Sequence, residues 1–390
     1  MTQDFRALWC LDPSIAYLNH GSYGACPRAV LERQRSLQLE MEREPVDFLS
    51  RELPGRLQSA RSALARFVGA ETADLVFVPN ATTAVNAVLR SLEFAPGDEV
   101  LATSHTYAAC RNALDHVASR TGARVVTAPL PFPVRSDDEL IAAVMACVSP
   151  RTRLALLDHV TSPTALVLPI ARLVRELRAL DIETLVDGAH APGMVPLALG
   201  ELGAAYYTGN AHKWLCAPKG AAFLHVRSDR QRELHPTVIS HGYGAGLQAE
   251  FDWIGTFDPS AWLCVPAAID YLGTLLPGGW PKLMAINRGL ALEARADLCE
   301  SLGIDPPCPE SMIGSMASVV LPRAASGAAA SRLEGDALTG WFRDRGVETW
   351  LSRRPFNLLR VSAQLYNSIA QVHRLTELTL QALHEPSAAH

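Results

Sequence analysis

Three lysines, Lys213, Lys219 and Lys282, stand against 32 arginines in this 390-residue chain. A guanidinium stays protonated in a protein, so chemistry that needs a free amine, imine formation with an aldehyde above all, must fall on one of those three. Lys219 lies in the turn Ala217-Pro218-Lys219-Gly220 and Lys282 follows Pro277-Gly278-Gly279-Trp280-Pro281, and both read as ordinary surface ammonium groups. Lys213 sits among polar neighbours in Gly209-Asn210-Ala211-His212-Lys213-Trp214. Upstream, Asp187 opens Asp187-Gly188-Ala189-His190 behind the apolar run Thr184-Leu185-Val186. A carboxylate at the end of a buried strand needs a cation or another partner. It could instead cap a helix, but Ala191-Pro192-Gly193 argues against a helix there. An amine on one loop and an acid to face a protonated pyridine nitrogen are what a pyridoxal phosphate (PLP) site requires.

Other residues fit the same site. His190 could donate to the phenolic oxygen of the cofactor or be a packed core histidine. Asn80-Ala81-Thr82-Thr83 opens a helix after an apolar strand, where free amides favour a phosphate. Asn and Thr are also ordinary N-caps, so the spacing alone leaves both readings of Thr82 and Thr83 open. Asn210 and His212 are further phosphate candidates. Tyr107 could stack on the pyridine face or belong to the core. Arg360 lies in the apolar segment Leu358-Leu359-Arg360-Val361, where its fork would suit a substrate carboxylate. A structural partner such as Glu348 would serve equally well.

The elements that must position these groups can be read from the apolar pattern. With 48% hydrophobic residues the chain can bury a large core, and its length suggests two domains. Strands are expected at 75–78, 99–102, 124–126, 153–157 and 184–186. Helices are expected from Pro27 to about Pro45, at 57–68, 82–92, 108–119, 137–148 and 169–180. That alternation implies an α/β fold with a mostly parallel sheet between helices and ligands at the carboxyl ends of the strands. After about residue 265 a smaller α+β domain follows. It has helices at 266–276 and 283–302, a small-residue loop at 323–331, a helix from Glu334 to Arg345, a strand at 358–361 and a closing helix at 369–383. The expected division is therefore an N-terminal segment, 1–20, packing with the small domain, a large domain, 21–265, and the small domain, 266–390.

Net charge −5, a pI of about 6.2 and the lack of a basic run give no footing for nucleic acid or an anionic membrane. No apolar run approaches the ~18 residues that span a bilayer. Asp4 and Asp12 interrupt the amino terminus, so a cytoplasmic location is expected. The eight cysteines have no C-x-x-C pair and read as reduced, mostly buried residues, with no metal site implied.

Five ordered segments carry a family pattern: Tyr17 to Gly24, Val186 to Gly193, Thr208 to Gly220, Trp253 to Ser260 and Leu359 to Ala363. Together they resemble the isopenicillin N epimerase-like branch of the class V aminotransferases, which are fold type I PLP enzymes. The resemblance implies that Lys213 forms the imine with PLP, Asp187 pairs with the pyridinium and His190 neighbours the phenolic oxygen. It implies Tyr107 at the ring face and Thr82, Thr83, Asn210 and His212 at the phosphate. Thr256 would reach the phosphate of the other subunit of a homodimer. Arg360 would hold the substrate carboxylate, under a loop formed by Asn19, His20 and Tyr23. Phe257 stands where members of this branch often have Arg, which reshapes the side-chain pocket. Related cysteine desulfurases carry a nucleophilic Cys shortly before the carboxylate-binding arginine, and Trp350 to Leu359 contains none. The expected chemistry is Cα-carbanion chemistry on an amino acid with a bulky side chain. The foremost form is β-elimination by a C–S lyase, or a related deamination or decarboxylation, of an S-substituted cysteine in natural-product or antibiotic biosynthesis. Epimerisation, needing a second proton donor such as His20, Tyr23, His241 or Tyr243, is the alternative. Aminotransfer and a catalytically silent PLP-fold binding protein are further ones.

Overall fold

The structure, a computed structural model, describes residues 5–322, 336–352 and 356–384. Its centre is a seven-stranded sheet of β1 (Leu75–Val78), β2 (Glu99–Thr103), β3 (Arg124–Ala128), β4 (Thr152–Asp158), β5 (Glu183–Asp187), β6 (Tyr206–Asn210) and β7 (Ala222–Val226). The spatial order is β1-β7-β6-β5-β4-β2-β3, and only β7 runs against its neighbours. Helices α1 (Arg28–Arg43), α2 (Leu53–Val68), α3 (Ala81–Ser91), α4 (Ala108–Thr121), α5 (Asp137–Met145) and α6 (Ile170–Arg178) join and cover the strands.

Both faces of the sheet are dry. In β4, Leu154 and Leu156 enter one apolar cluster with Val85 and Val88 of α3 and Leu114 of α4. Ala155 and Leu157 enter another, with Leu140 of α5 and Leu173 and Leu177 of α6. Strands buried on both faces read as continuous apolar runs rather than alternating ones, which is why they stand out in the sequence. Each fully buried Leu or Val contributes roughly 1.5–3 kcal/mol, enough for Leu185 and Val186 to carry a hydrogen-bonded carboxylate at position 187.

Strands β6 and β7 are where sequence and structure differ: the run leading to Lys213 reads as loop, yet Tyr206–Asn210 is a central strand. Its Thr208 hydroxyl donates to the Phe223 carbonyl at 2.8 Å, and Gly209 lies where a side chain would collide with Pro192 and Phe223. Tight packing therefore takes the place of the β-branched composition that usually marks a strand.

The C-terminal part holds α7 (Val265–Thr274), α8 (Gly279–Leu302), α9 (Asp336–Arg343) and α10 (Ile369–His384). It also forms a small antiparallel sheet of β8 (Met316–Val320), β9 (Trp350–Ser352) and β10 (Leu358–Ser362), in the order β9-β10-β8. Of these, β8 and β9 were not expected from the sequence. The loop expected at 323–331 and the expected helix start at Glu334 lie outside the described residues. Ala16 and Tyr17 pair in parallel with Val347 and Glu348, and Ala16 and Leu18 share a cluster with Val319, Val361 and Leu375. No helix among the described residues is long and apolar enough to cross a membrane.

Candidate active site

The carboxyl ends of β1, β2, β4, β5 and β6 lead into a single cleft with about 610 Å³ of unfilled space including its open mouth. Asp158 ends β4, Asp187 ends β5, Asn210 ends β6, and Asn80 and Tyr107 begin the helices that follow β1 and β2. All of them line the cleft, with Tyr23, Thr82, His190, His212 and Lys213.

Lys213 is anchored by a loop whose other members, Ala211, Trp214, Leu215, Cys216 and Ala217, are fully buried. Two glycines let other segments approach it. Gly24 (φ +69°) has no room for a side chain against the His212 carbonyl, and Gly193 (φ +84°) would bring a Cβ to 2.6 Å from the Trp214 carbonyl oxygen. Lys213 Nζ lies 3.1 Å from His190 Nε2. Burial, followed by repulsion from Arg360, pushes the lysine down to about 8, while Asp187 and Cys110 oppose the shift. His190 is held well below the ordinary imidazole range, first by burial and then by Lys213 and Arg360. The shift raises the share of free amine at neutral pH, the form in which it can act as a nucleophile or base. Lys282 is exposed and Lys219 donates to the Gly24 carbonyl at 3.1 Å, so neither shares this setting.

Asp187 accepts from the Ala189 amide at 2.9 Å and from the Cys110 thiol at 3.2 Å. Directly beside it in strand register is Asp158, 3% exposed, whose Oδ2 has no partner. Burial and then the neighbouring Asp187 drive Asp158 well above the usual carboxylate range, which favours its protonated form. Sequence reasoning missed Asp158 and Cys110. The one available signal was the aspartate closing Leu154-Ala155-Leu156-Leu157-Asp158, a strand end equivalent to Asp187.

At the opposite end, the Asn80 side chain accepts from the Thr83 amide and hydroxyl, so Thr83 serves the N-cap and does not line the cleft. Asn210 Oδ1 accepts from the Ala81 amide at 2.9 Å, which leaves its NH₂ group to face the cleft. Thr82 lines the cleft at the N-terminus of α3, a position suited to an anion. His212 Nδ1 meets the Ala221 carbonyl at 3.0 Å, which fixes its ring with Nε2 free.

Arg360 on β10 is 1% exposed, and among the described residues no carboxylate pairs with it. Its Nη1 donates to the Ser162 carbonyl at 2.5 Å, Nη2 donates to Asn19 Oδ1 and Ser22 Oγ at 3.3 Å each, and Nε is left without a partner. The Trp350 ring lies 4.6 Å from the guanidinium. Glu348, the alternative partner raised by the sequence, accepts from Asn19 Nδ2 at 3.3 Å instead, so Asn19 stands between the two charges. Burial lowers the arginine to about 9. A buried cation with only neutral partners is set to receive an anion, and Ser22 and Ser162 put it at the wall of the cleft.

The remaining candidates divide. Tyr23 and Tyr107 line the cleft and are 72% and 46% exposed, so both rings could move onto a ligand. His20 lies behind the lysine, with Nε2 2.9 Å from the Lys213 carbonyl and Nδ1 2.7 Å from the Tyr366 hydroxyl, and it does not line the cleft. Thr256 is exposed and Phe257 packs on Trp262 at 4.6 Å between ring centroids, both outside the cleft of their own chain.

An enclosed amine with a lowered pKa, a strand-end acid and a helix N-terminus meet at one opening with an uncompensated arginine behind its wall, and this donor set fits PLP. The chain matches the aminotransferase class-V model over residues 25–298. It is 36% identical to isopenicillin N epimerase of Streptomyces clavuligerus, with 96% of each chain covered. It is 34% identical to a probable chloroplastic L-cysteine desulfhydrase of Arabidopsis thaliana, over 94% of this chain and 82% of the relative. Among solved structures, a lysine-to-alanine variant of C-DES with glycine covalently linked to its PLP cofactor superposes with a TM-score of 0.79 at 20% identity, covering 96% of this chain and 98% of that one. Fold, motif order and similarity across nearly the whole length agree that the chain belongs to the aminotransferase class-V family.

Proposed function

We propose that this is a PLP-dependent enzyme that breaks the Cβ–S bond of an S-substituted cysteine by β-elimination. The observation that carries the reading is that Lys213 and Asp187 line one cleft while Arg360 stands behind its wall, bonded to the cleft-lining Ser22 and Ser162. Lys213 would hold the cofactor covalently, Asp187 would meet its ring nitrogen and His190 its phenolic oxygen. Thr82, Asn210 and His212 would hold the phosphate, with Thr83 supporting them through the Asn80 cap, and Tyr107 would cover the ring. When bound, PLP supplies an electron sink that weakens the bonds at the substrate Cα. Arg360 binds the substrate carboxylate and so fixes which Cα bond faces the lysine. Lys213, freed by the incoming amine, takes the Cα proton; the Cβ–S bond then breaks, the sulfur leaves as a thiol, and water completes the release of a keto acid and ammonia. Similarity to an L-cysteine desulfhydrase supports C–S cleavage, and similarity to isopenicillin N epimerase keeps epimerisation as the second reading. Elimination is favoured by His20, since epimerisation needs a donor on the far face and both His20 nitrogens are engaged behind the lysine. Tyr23 is the residue that could serve epimerisation from within the cleft.

The same reading makes the enzyme a cytoplasmic homodimer. Thr256 would reach the partner's phosphate and Phe257 the partner's side-chain pocket. The exposed Val238, Ile239 and Tyr243 offer apolar surface to such an interface. The division into 1–20, 21–265 and 266–390 is proposed on the shared cluster of Ala16 and Leu18 with the small sheet. Borohydride reduction of the holoenzyme followed by peptide mass spectrometry should place the cofactor on Lys213. Incubation with S-alkyl and S-aryl cysteines in deuterated water should release thiol, keto acid and ammonia. Deuterium at Cα of recovered, inverted substrate without thiol release would instead establish the epimerase.

A further inference from the structure

Lys213 touches one polar side chain, His190, and a proton inventory of that contact leads beyond the roles assigned so far. The indole of Trp214, 0% exposed, points Nε1 at His190 Nδ1 from 3.4 Å. An indole N–H only donates, so Nδ1 must offer its lone pair. A neutral imidazole carries its one proton on the other nitrogen, here Nε2, which faces Lys213 Nζ at 3.1 Å. A protonated Nε2 can only donate, so Nζ has to accept, and an ammonium has no lone pair with which to do so.

We infer that Trp214 is a positioning residue that fixes His190 in the Nε2–H tautomer and thereby favours the unprotonated form of the Lys213 amine, with its lone pair directed at the imidazole. The inference rests on Lys213 being the cofactor-bearing amine and adds how that amine is kept ready. The other groups around it are accounted for. Arg360 disfavours the ammonium, while Asp187 and Cys110 favour it. His20 presents a ring nitrogen to the Lys213 carbonyl rather than to Nζ, and His212 is turned to Ala221. Once the amine is engaged elsewhere, the same Nε2–H is left pointing into the cleft, ready to donate to an acceptor oxygen. Tautomer selection by Trp214 therefore serves His190 in both situations.

The direct test leaves the sequence unchanged. Full-length chain labelled with ¹⁵N in its 12 histidines is examined by long-range proton–nitrogen correlation, and His190 is assigned by the signal lost in His190→Gln. The expected result is a protonated Nε2 and an unprotonated Nδ1 for His190 at neutral pH. A protonated Nδ1, or a doubly protonated ring, overturns the inference. In cofactor-free Trp214→Phe compared with the cofactor-free parent, reductive methylation of Lys213, read by peptide mass spectrometry against Lys219 and Lys282, should fall roughly 10-fold at neutral pH, which corresponds to a rise of about one pH unit in its titration. A Lys213 profile unchanged in a folded Trp214→Phe protein also overturns it. If the variant does not fold, the nitrogen spectrum of the unaltered chain still decides. The cofactor assignment is tested separately, because loss of borohydride-trapped PLP at Lys213 would refute that assignment and leave the tautomer measurement standing.

Discussion

Replacing Arg360 by Met separates function from stability more sharply than any other single change in the cleft. The arginine is fully enclosed, and burial takes it from its ordinary 12.5 to about 9. At 1.36 kcal/mol per pH unit that difference represents on the order of 5 kcal/mol borne by the free chain, set against charge-assisted hydrogen bonds of about 1.5–3 kcal/mol each to Ser162, Asn19 and Ser22. Because the folded value lies below the unfolded one, stability would rise with pH only above about 9, and the cost is constant at neutral pH. An apolar side chain of similar length removes both the cost and these bonds, so the variant should stay within a few kcal/mol of the parent in stability. Binding should move the other way. Two charge-assisted bonds to a substrate carboxylate are worth about 3–6 kcal/mol, a loss of roughly 10² to 10⁴ in kcat/KM. The assay pairs urea denaturation with kinetics on an S-substituted cysteine and on the same compound lacking its carboxylate. Arg360→Met should lose the discrimination between these two compounds, and Arg360→Lys should keep part of it, with the loss mostly in KM. A variant that is several kcal/mol less stable and still discriminates as the parent does would refute the reasoning.

Four further outcomes follow from the same geometry. Asp158, with its carboxyl raised by burial and Asp187, makes the cofactor-free chain less stable as pH rises from the unfolded carboxylate range toward the folded value, because the folded state holds the extra proton; Asp158→Asn should remove that slope in melts across acid to neutral pH. Asp187→Asn should instead leave the fold intact and abolish activity, since the amide cannot supply the charge that a ring nitrogen needs. Lys213, lowered to about 8, disfavours the folded state below that pH, and its penalty is relieved as pH rises toward the ordinary 10.5; Lys213→Met should flatten this rise and raise neutral-pH stability by on the order of 1–3 kcal/mol in chemical denaturation. Gly24→Ala meets both a left-handed backbone and the His212 carbonyl, so it should cost on the order of 1–3 kcal/mol and weaken PLP retention measured by dialysis and absorbance.

Which parts of this site could be read from the chain alone follows from how far each residue's partner lies along the sequence. Lys213 stood out because lysine is scarce, and Asp187 because a carboxylate ending Thr184-Leu185-Val186 demands a partner. Most of the helices and five strands of the large sheet were legible because apolar runs separated by helical spacing mark them, and all but the edge strand Arg124–Ala128 are buried on both sheet faces. Tyr206–Asn210 was not, because its strand character is supplied by Phe223 and Pro192, which sequence order places elsewhere. Asp158 illustrates the same limit within the site: its meaning comes from lying in register with Asp187, a relation created only when β4 and β5 pair. Trp214 is adjacent to the lysine in sequence, yet it acts on it through His190, 24 positions away. Local chemistry thus nominates the charged groups, whereas the protonation state of each is decided by neighbours that the fold brings in. The pair of acids makes the point most sharply, for Asp158 and Asp187 close similar apolar strands, and only the pairing of those strands shows that Asp158 lies buried beside a second carboxyl that favours its protonated form.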